Sequence, residues 1–339
     1  MKSILNVGIF GAGRIGRLHM QNLQKNVEGV KVKTIVDVFF SEESKKLAKE
    51  LGIDNISHDE DAIFLDKSID VVVICSSTNT HTDLITRSAQ AGKHIFCEKP
   101  IGSDIKNIKL ALEAVQKAGV KLQLGFVRRF DHNHKAVADA VKSGAIGKPE
   151  IIKITSRDPF PPPVEYIEVS GGLFFDMMIH DFDMARFLAG SDVTEVSAKG
   201  TVLVDEAIRD AGDVDTAIVT LTFENGAIGV IDNSRRAPYG YDQRTEVHGE
   251  LGCIQGENDR QNTTMISTAS GVMIEKPLWF FIERYNNAFI AEMVAFAQAL
   301  SNDTEVPVNG YDGLESVRIA MAAKMSMEKK RPVMLKEIE

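Results

Sequence analysis

The sequence predicts an α/β amino-terminal half, with a parallel sheet covered by helices on both faces, followed by an α+β half built on a large, mostly antiparallel open sheet. Three observations predict it. Short apolar, β-branched runs alternate with helical patterns as far as residue 126, which is what a parallel sheet buried on both faces requires. A G-x-G-x-x-G run stands between the first strand and the first helix. Beyond residue 190 the pattern changes to longer alternating strands joined by hairpin signals. Two domains are therefore expected, residues 1–126 and 127–339.

At 339 residues, 44% hydrophobic and 26% charged, the chain has an ordinary globular composition and can bury a sizeable core. A formal net charge of -9 argues against a nucleic-acid or anionic-membrane partner. No apolar run reaches the length of a membrane span, and Met1-Lys2-Ser3-Ile4 leads straight into a strand pattern, with no room for a signal peptide. Cys75, Cys97 and Cys253 are widely spaced and offer neither a disulfide framework nor a zinc pattern. A reducing, cytoplasmic compartment is expected.

The run 4–10 reads as a buried strand, and Gly11-Ala12-Gly13-Arg14-Ile15-Gly16 follows at once, with a helix pattern continuing to Leu23. In that context Gly11 permits the tight turn, Gly13 lets a pyrophosphate approach the backbone, and Gly16 lets helix and strand pack closely. Free amides at the helix start then meet the phosphates. Residues 32–37 form a second strand ending in Asp37, about twenty residues past the glycines, the spacing of a ribose-binding carboxylate. Asp37 would accept from the adenosine hydroxyls and repel a 2′-phosphate, which points to NAD over NADP. The alternative is a cap for a helix over 41–51. The first half is thus read as a Rossmann dinucleotide-binding domain, with Gly11, Ala12, Gly13, Arg14, Ile15 and Asp37 at the cofactor.

Residues 70–75 form a continuous apolar strand that delivers the polar loop 76–81 to the sheet edge where a dinucleotide lies. Ser77, Asn79 and His81 are candidates for contact with ribose or nicotinamide, although Asn79 or Thr80 could equally cap the next helix. The strand 94–97 brings Glu98-Lys99-Pro100 to the same edge. Pro100 biases Lys99 toward an extended backbone, so its ammonium can point into the cleft. A helix over 104–118 and a strand over 121–126 complete the sheet.

Arg128-Arg129-Phe130-Asp131 begins the crossing to the second half. His132 and His134 make an H-x-H, but without a third ligand at a sensible spacing they are expected as solvated helix-start histidines, and no metal is expected. Residues 149–157 read as a strand, Pro161-Pro162-Pro163 as a stiff loop, and 171–188 as one helix opened by two glycines. On that helix Asp176, His180 and Asp183, at i, i+4 and i+7, share a face. A carboxylate one turn before a histidine can accept from one ring nitrogen and leave the other to act as a base; a buried helix with a polar stripe has the same spacing. Strands follow at 195–204, 216–223, 227–234, 244–247, 253–255 and 265–274, with hairpin signals at Glu224-Asn225-Gly226 and Glu250-Leu251-Gly252. The loop 235–242 is dense in polar and aromatic groups. Helices are expected over 284–300 and 310–329, the second with an Ala/Met face suited to packing back on the first domain.

The glycine run 11–16, Asp37, Glu98-Lys99-Pro100, Gly125-Phe126-Val127-Arg128-Arg129-Phe130-Asp131 and Asp176-x-x-x-His180 together resemble the glucose–fructose oxidoreductase/inositol dehydrogenase family over essentially the full length. Thr155-Ser156-Arg157-Asp158-Pro159 and the loop 234–242 resemble its inositol-oxidising branch. The resemblance implies an NAD-dependent dehydrogenase that oxidises a ring hydroxyl of a cyclic polyol, with myo-inositol going to its 2-keto product. It implies that Lys99 holds the reacting hydroxyl, that Asp176 orients His180, and that His180 removes the proton as hydride leaves for the nicotinamide. It also implies cofactor contact by Glu98 and Lys99, polyol contact by Arg128, Asp158, Asp183, Tyr239 and Tyr241, and a homotetramer built through the open sheet.

A set mixing carboxylates, arginines and tyrosines suits a neutral ring with several hydroxyls, which needs both donors and acceptors. Another inositol isomer or a sugar would suit it too. A cofactor-binding regulator without turnover has no need of Lys99, Asp176 and His180 together, and Asp37 speaks against an NADPH-dependent reductase.

Overall fold

A computed structural model describes residues 4–339; Met1-Lys2-Ser3, on which the signal-peptide expectation partly rests, lies outside the described residues. The chain divides into two compact units. One holds the residues up to Val127 together with Ala288–Val317, the other Arg128–Asn287 with Arg318–Glu339. The two later divisions fall inside helices, where a sequence pattern carries no boundary signal.

In the first unit β1 (Leu5–Phe10), β2 (Val30–Val36), β3 (Asn55–Ser57), β4 (Val71–Ile74), β5 (His94–Glu98) and β6 (Leu122–Gly125) form a parallel sheet in the order β3-β2-β1-β4-β5-β6. The connecting helices are α1 (Arg14–Asn26), α2 (Glu42–Glu50), α3 (Asp61–Phe64), α4 (Thr78–Gln90) and α5 (Ile105–Ala118). Every residue of β4 is buried, which is why its sequence is continuously apolar rather than alternating. Val7, Ile9, Ile35, Val73 and Phe96 share a core with Met293 and Phe296 from the returning segment. Connections leave β1 toward β2 on one side, and β4 lies on the other, so the strand order reverses there. The carboxyl ends of β1 and β4 are the switch point at which such sheets bind ligands.

The second unit contains α6 (His132–Lys142), β7 (Pro149–Arg157), α7 (Val164–Ser170), α8 (Leu173–Asp176), α9 (Ile179–Ala189), β8 (Val193–Thr201), α10 (Glu206–Asp210), β9 (Thr216–Phe223), β10 (Ile228–Ser234), β11 (Asp242–Gly249), β12 (Gly252–Gly256), β13 (Met265–Thr268) and β14 (Gly271–Ile274). Helices α11 (Phe281–Ser301) and α12 (Gly310–Lys329) each pass from one unit to the other, and β15 (Val333–Met334) ends the sheet. Seven strands run in the order β12-β11-β7-β10-β9-β8-β15. The pairings are antiparallel except β7 with β10, which is parallel. One face buries Ile152, Ile154, Val219, Leu221 and Ile231.

Two expectations from the sequence are corrected here. Residues 265–274 are not one strand: β13 and β14 pair as a hairpin that turns at Ala269 and Ser270. Nor is 171–188 one helix, because Met177 and Met178 interrupt it between α8 and α9. Both methionines are buried, so packing sets the break, and no Gly or Pro marks it.

Candidate active site

At the carboxyl end of β1, Gly11 takes φ +95°, and a Cβ there would lie 2.6 Å from the carbonyl carbon of Cys75. A Cβ on Gly16 would lie 2.0 Å from the Gly11 carbonyl oxygen, so only glycine lets α1 start this close to the turn. Gly13 is different: nothing lies within 4 Å of where its Cβ would be, and it precedes α1 with no side-chain cap on the helix. That open space, beside the amides of the first turn, fits a pyrophosphate. Arg14 and Ile15 begin α1, the first exposed and the second half-buried, and Ala12 is buried beneath the turn.

Asp37, just past β2, turns its carboxylate back onto this loop. One oxygen accepts from the Ala12 N–H and the other from the Phe39 N–H at 3.1 Å. It does not cap α2, because Ser41 does so, accepting from the Ser44 N–H at 3.1 Å.

Ser77 and Asn79 are exposed at the start of α4, and the Ser77 side chain makes no capping bond. His81 does not join them. Its ring is buried, with Nδ1 2.8 Å from the Pro100 carbonyl and Nε2 3.0 Å from that of Ser76. The ring has one N–H to donate to these carbonyls, and it is buried between the loops after β4 and β5 and not exposed with Ser77 and Asn79, which corrects its expected contact with the cofactor. Burial moves its pKa down, against those two carbonyls. Glu98 lies 2.7 Å from Nε2 of His19, a buried α1 side chain edge-on to Phe96 and Phe289. No sequence signal marks His19, which reaches Glu98 from 79 residues away. Lys99 is half-buried at the end of β5, and its bond to Pro100 is cis.

In the second unit, Asp176 ends α8 and His180 lies in the first turn of α9. Asp176 Oδ1 accepts from the Tyr166 hydroxyl at 2.9 Å, and Oδ2 faces both terminal nitrogens of Arg235 at 3.5 and 3.4 Å. Asp158 follows β7 with Oδ2 3.9 Å from the same guanidinium. Burial pushes the Asp158 carboxyl up to about 7; Arg235 opposes the shift and Asp176 reinforces it. Neither Tyr166 nor Arg235 was singled out from the sequence.

Arg128 is buried in an ion pair with Asp181 and donates to Ser156 Oγ at 3.2 Å. Asp181 also accepts from Asn233 at 3.0 Å. Tyr239 is exposed, its hydroxyl donating to Asp242 at 2.7 Å and accepting from Arg157 at 3.2 Å. Tyr241 is buried edge-on against Tyr285. Asp183 departs from expectation. It is 1% exposed, and both its oxygens accept from Arg129, at 2.8 and 2.6 Å. This bidentate pair occupies the carboxylate that was expected to face a polyol.

His134 is also corrected. It is buried between Thr245 Oγ1 at 3.3 Å and the Tyr285 hydroxyl at 3.4 Å, not solvated, and burial drives it down to about 3. His132 is exposed and close to Asp131 and Asp259. Arg284 pairs with both of those carboxylates, so a cation of the chain itself already occupies the cluster.

An oxidoreductase-family model with an NAD-binding Rossmann fold matches residues 5–126, and a GFO/IDH/MocA C-terminal domain model matches residues 134–255. The uncharacterised oxidoreductase YrbE of Bacillus subtilis is 49% identical over 98% of this chain and 97% of its own length. The myo-inositol 2-dehydrogenase of Thermotoga maritima is 46% identical over 98% and 99%. Among solved structures, a myo-inositol dehydrogenase from Corynebacterium glutamicum superposes with a TM-score of 0.92 at 38% identity, covering 98% of each chain. A scyllo-inositol dehydrogenase from Lactobacillus casei, with bound NAD(H) and scyllo-inositol, gives 0.91 at 29% identity over 98% of this chain and 100% of its own.

Proposed function

The chain belongs to the GFO/IDH/MocA oxidoreductase family, and from that premise we propose that it oxidises a ring hydroxyl of a cyclic polyol, myo-inositol at carbon 2. The first unit is an NAD-binding Rossmann domain, and NAD, when bound, supplies the hydride acceptor. The open space at Gly13 and the Asp37 carboxylate on the same turn suit the pyrophosphate and the adenosine ribose. Lys99 holds the reacting hydroxyl. His180 takes its proton, and Asp176 keeps His180 in place. Asp158, titrating near neutrality, can accept from or donate to a neighbouring hydroxyl.

The observation that carries this assignment is the mixed set on the second unit. Two carboxylates, Asp176 and Asp158, stand within ion-pair distance of the buried Arg235 guanidinium, with the exposed Tyr166 phenol on Asp176, and acceptors held together beside a phenol suit a neutral polyhydroxylated ring. The experiment is NADH formation by the purified protein with each inositol isomer and common hexoses. Fastest turnover with myo-inositol is expected. Absence of turnover with every inositol overturns the assignment, and preference for another isomer replaces only the choice of isomer.

The assembly we propose is a homotetramer through the open sheet. Ile151 and Ile228, paired across β7 and β10, are exposed on its outer face with Ile218. Met265, Ile266, Val272, Met273 and Ile274 are exposed on the β13–β14 hairpin, and exposed apolar side chains grouped in this way support the proposed assembly. No helix among the described residues is long and apolar enough to cross a membrane. The proposed compartment is the cytoplasm.

A further inference from the structure

Arg235 heads the fully buried side chains by size among the described residues, at 1% exposure. Its placement follows from the sheet. Strands β7 and β10 pair in parallel with Arg157 opposite Ser234, so residues 158 and 235 leave the sheet side by side, and the Asp158 N–H donates to the Ser234 carbonyl at 2.9 Å. The Arg235 N–H donates to the Asp215 carbonyl at 2.9 Å, which fixes the start of the side chain. From there the guanidinium reaches Asp176 Oδ2 at 3.4 Å and Asp158 Oδ2 at 3.9 Å. Tyr166 of α7 holds the other oxygen of Asp176.

Two carboxylates on one cation leave a negative charge that burial makes costly. A planar fork can serve two acceptors where an ammonium acts as a point charge. We propose that Arg235 is a positioning residue: one guanidinium, shared between Asp176 and Asp158, fixes the carboxylate that serves His180. The charges that act most on Asp158 are Arg235, Asp176, Arg128 and Asp181, with the buried Tyr241 phenol also close to it and the Tyr166 hydroxyl on the far side of Asp176. Near pH 7 Asp158 changes charge. Below that the guanidinium is left to Asp176; above it the two acids share it. The catalytic part of this inference rests on the proposed dehydrogenase activity, whereas the clamp itself does not.

The test compares Arg235→Ala and Arg235→Lys with wild type in the full-length, NAD-loaded enzyme. Arg236→Gln is the control, since Arg236 is exposed and donates to the Leu203 and Val204 carbonyls. Arg235→Ala is expected to lower kcat by about 10²-fold, the usual consequence of a misplaced catalytic group, and to leave KM within about threefold. The acid limb of the rate profile should move up by about one pH unit or more, as loss of a neighbouring cation requires. Added guanidinium ion should restore part of kcat. Arg235→Lys should retain the limb and lose part of kcat. A folded Arg235→Ala enzyme with wild-type kcat and limb overturns the proposal. If the alanine variant does not fold, wild-type kcat in Arg235→Lys overturns it instead. NMR of 13C-carboxyl aspartate provides a readout without turnover: the Asp158 titration, near neutral in wild type, should move up in Arg235→Ala and stay in place in Arg236→Gln. An Asp158 titration unmoved in Arg235→Ala sinks the clamp, whereas a protein that shows the shift but oxidises no inositol sinks only the dehydrogenase assignment.

Discussion

The carboxylate of Asp37 accepts a hydrogen bond from the backbone N–H of Ala12, 25 residues earlier and inside the glycine turn. A fixed negative charge therefore stands on the loop that is to receive a dinucleotide. Asp37→Ala is expected to weaken NAD by about tenfold to a hundredfold, the scale of a charge-assisted hydrogen bond. It should narrow the advantage over NADP, as read by kcat/KM with each cofactor. An unchanged ratio would leave Asp37 with only its role on the loop backbone.

Gly13 and Gly16 separate cofactor binding from folding. Gly13→Ala places a methyl where nothing lies within 4 Å, so the thermal midpoint should hold while NAD affinity falls by about tenfold or more, roughly 1.4 kcal/mol. Gly16→Ala puts the methyl 2.0 Å from the Gly11 carbonyl oxygen and should lower the thermal midpoint itself. Wild-type NAD binding by Gly13→Ala would place the pyrophosphate elsewhere.

Replacing the proposed base is expected to cost turnover without touching the dinucleotide. His180→Ala should lower kcat by roughly 10²–10⁴-fold, with NAD affinity, measured by fluorescence titration, unchanged. A loss under about threefold would take His180 out of the proton transfer.

His134 sets a pH dependence of stability with a defined sign. Its folded pKa is about 3, lowered by burial from the usual 6.5. As pH falls through 6.5 the unfolded chain takes up a proton that the folded chain refuses until about 3. Stability is therefore lost progressively on acidification across that window. Urea unfolding at about pH 7 and about pH 4.5 should show a smaller fall for His134→Gln, which keeps a donor and an acceptor near Thr245 and Tyr285. An equal fall in both proteins assigns the acid sensitivity to other groups.

The parallel sheet was legible because burial on both faces forces continuous apolar strands such as 71–74, and because a glycine turn has to spell itself out in residues. Three-residue β3, half-exposed or exposed throughout, leaves no such trace. The β7–β10 pairing joins strands far apart in the chain, and no local pattern encodes it. The polar set suffered accordingly. Asp176 and Asp158 could be named from their surroundings in the sequence, but Arg235 comes beside Asp158 only through that pairing. His81 and Asp183 look like any polar residue of a site loop or helix until their partners, two carbonyls and Arg129, are seen to hold them.

The backbone passes between the two units three times, at Val127 to Arg128, Asn287 to Ala288 and Val317 to Arg318. The middle excursion lends Met293 and Phe296 to the interior of the nucleotide sheet and the Val308 carbonyl to the Leu124 N–H. A gene fragment stopping at codon 127 would express that sheet with its interior uncovered. Recombining such enzymes to exchange specificities means respecting three junctions at once, so the cofactor half is not a cassette that can be lifted out whole.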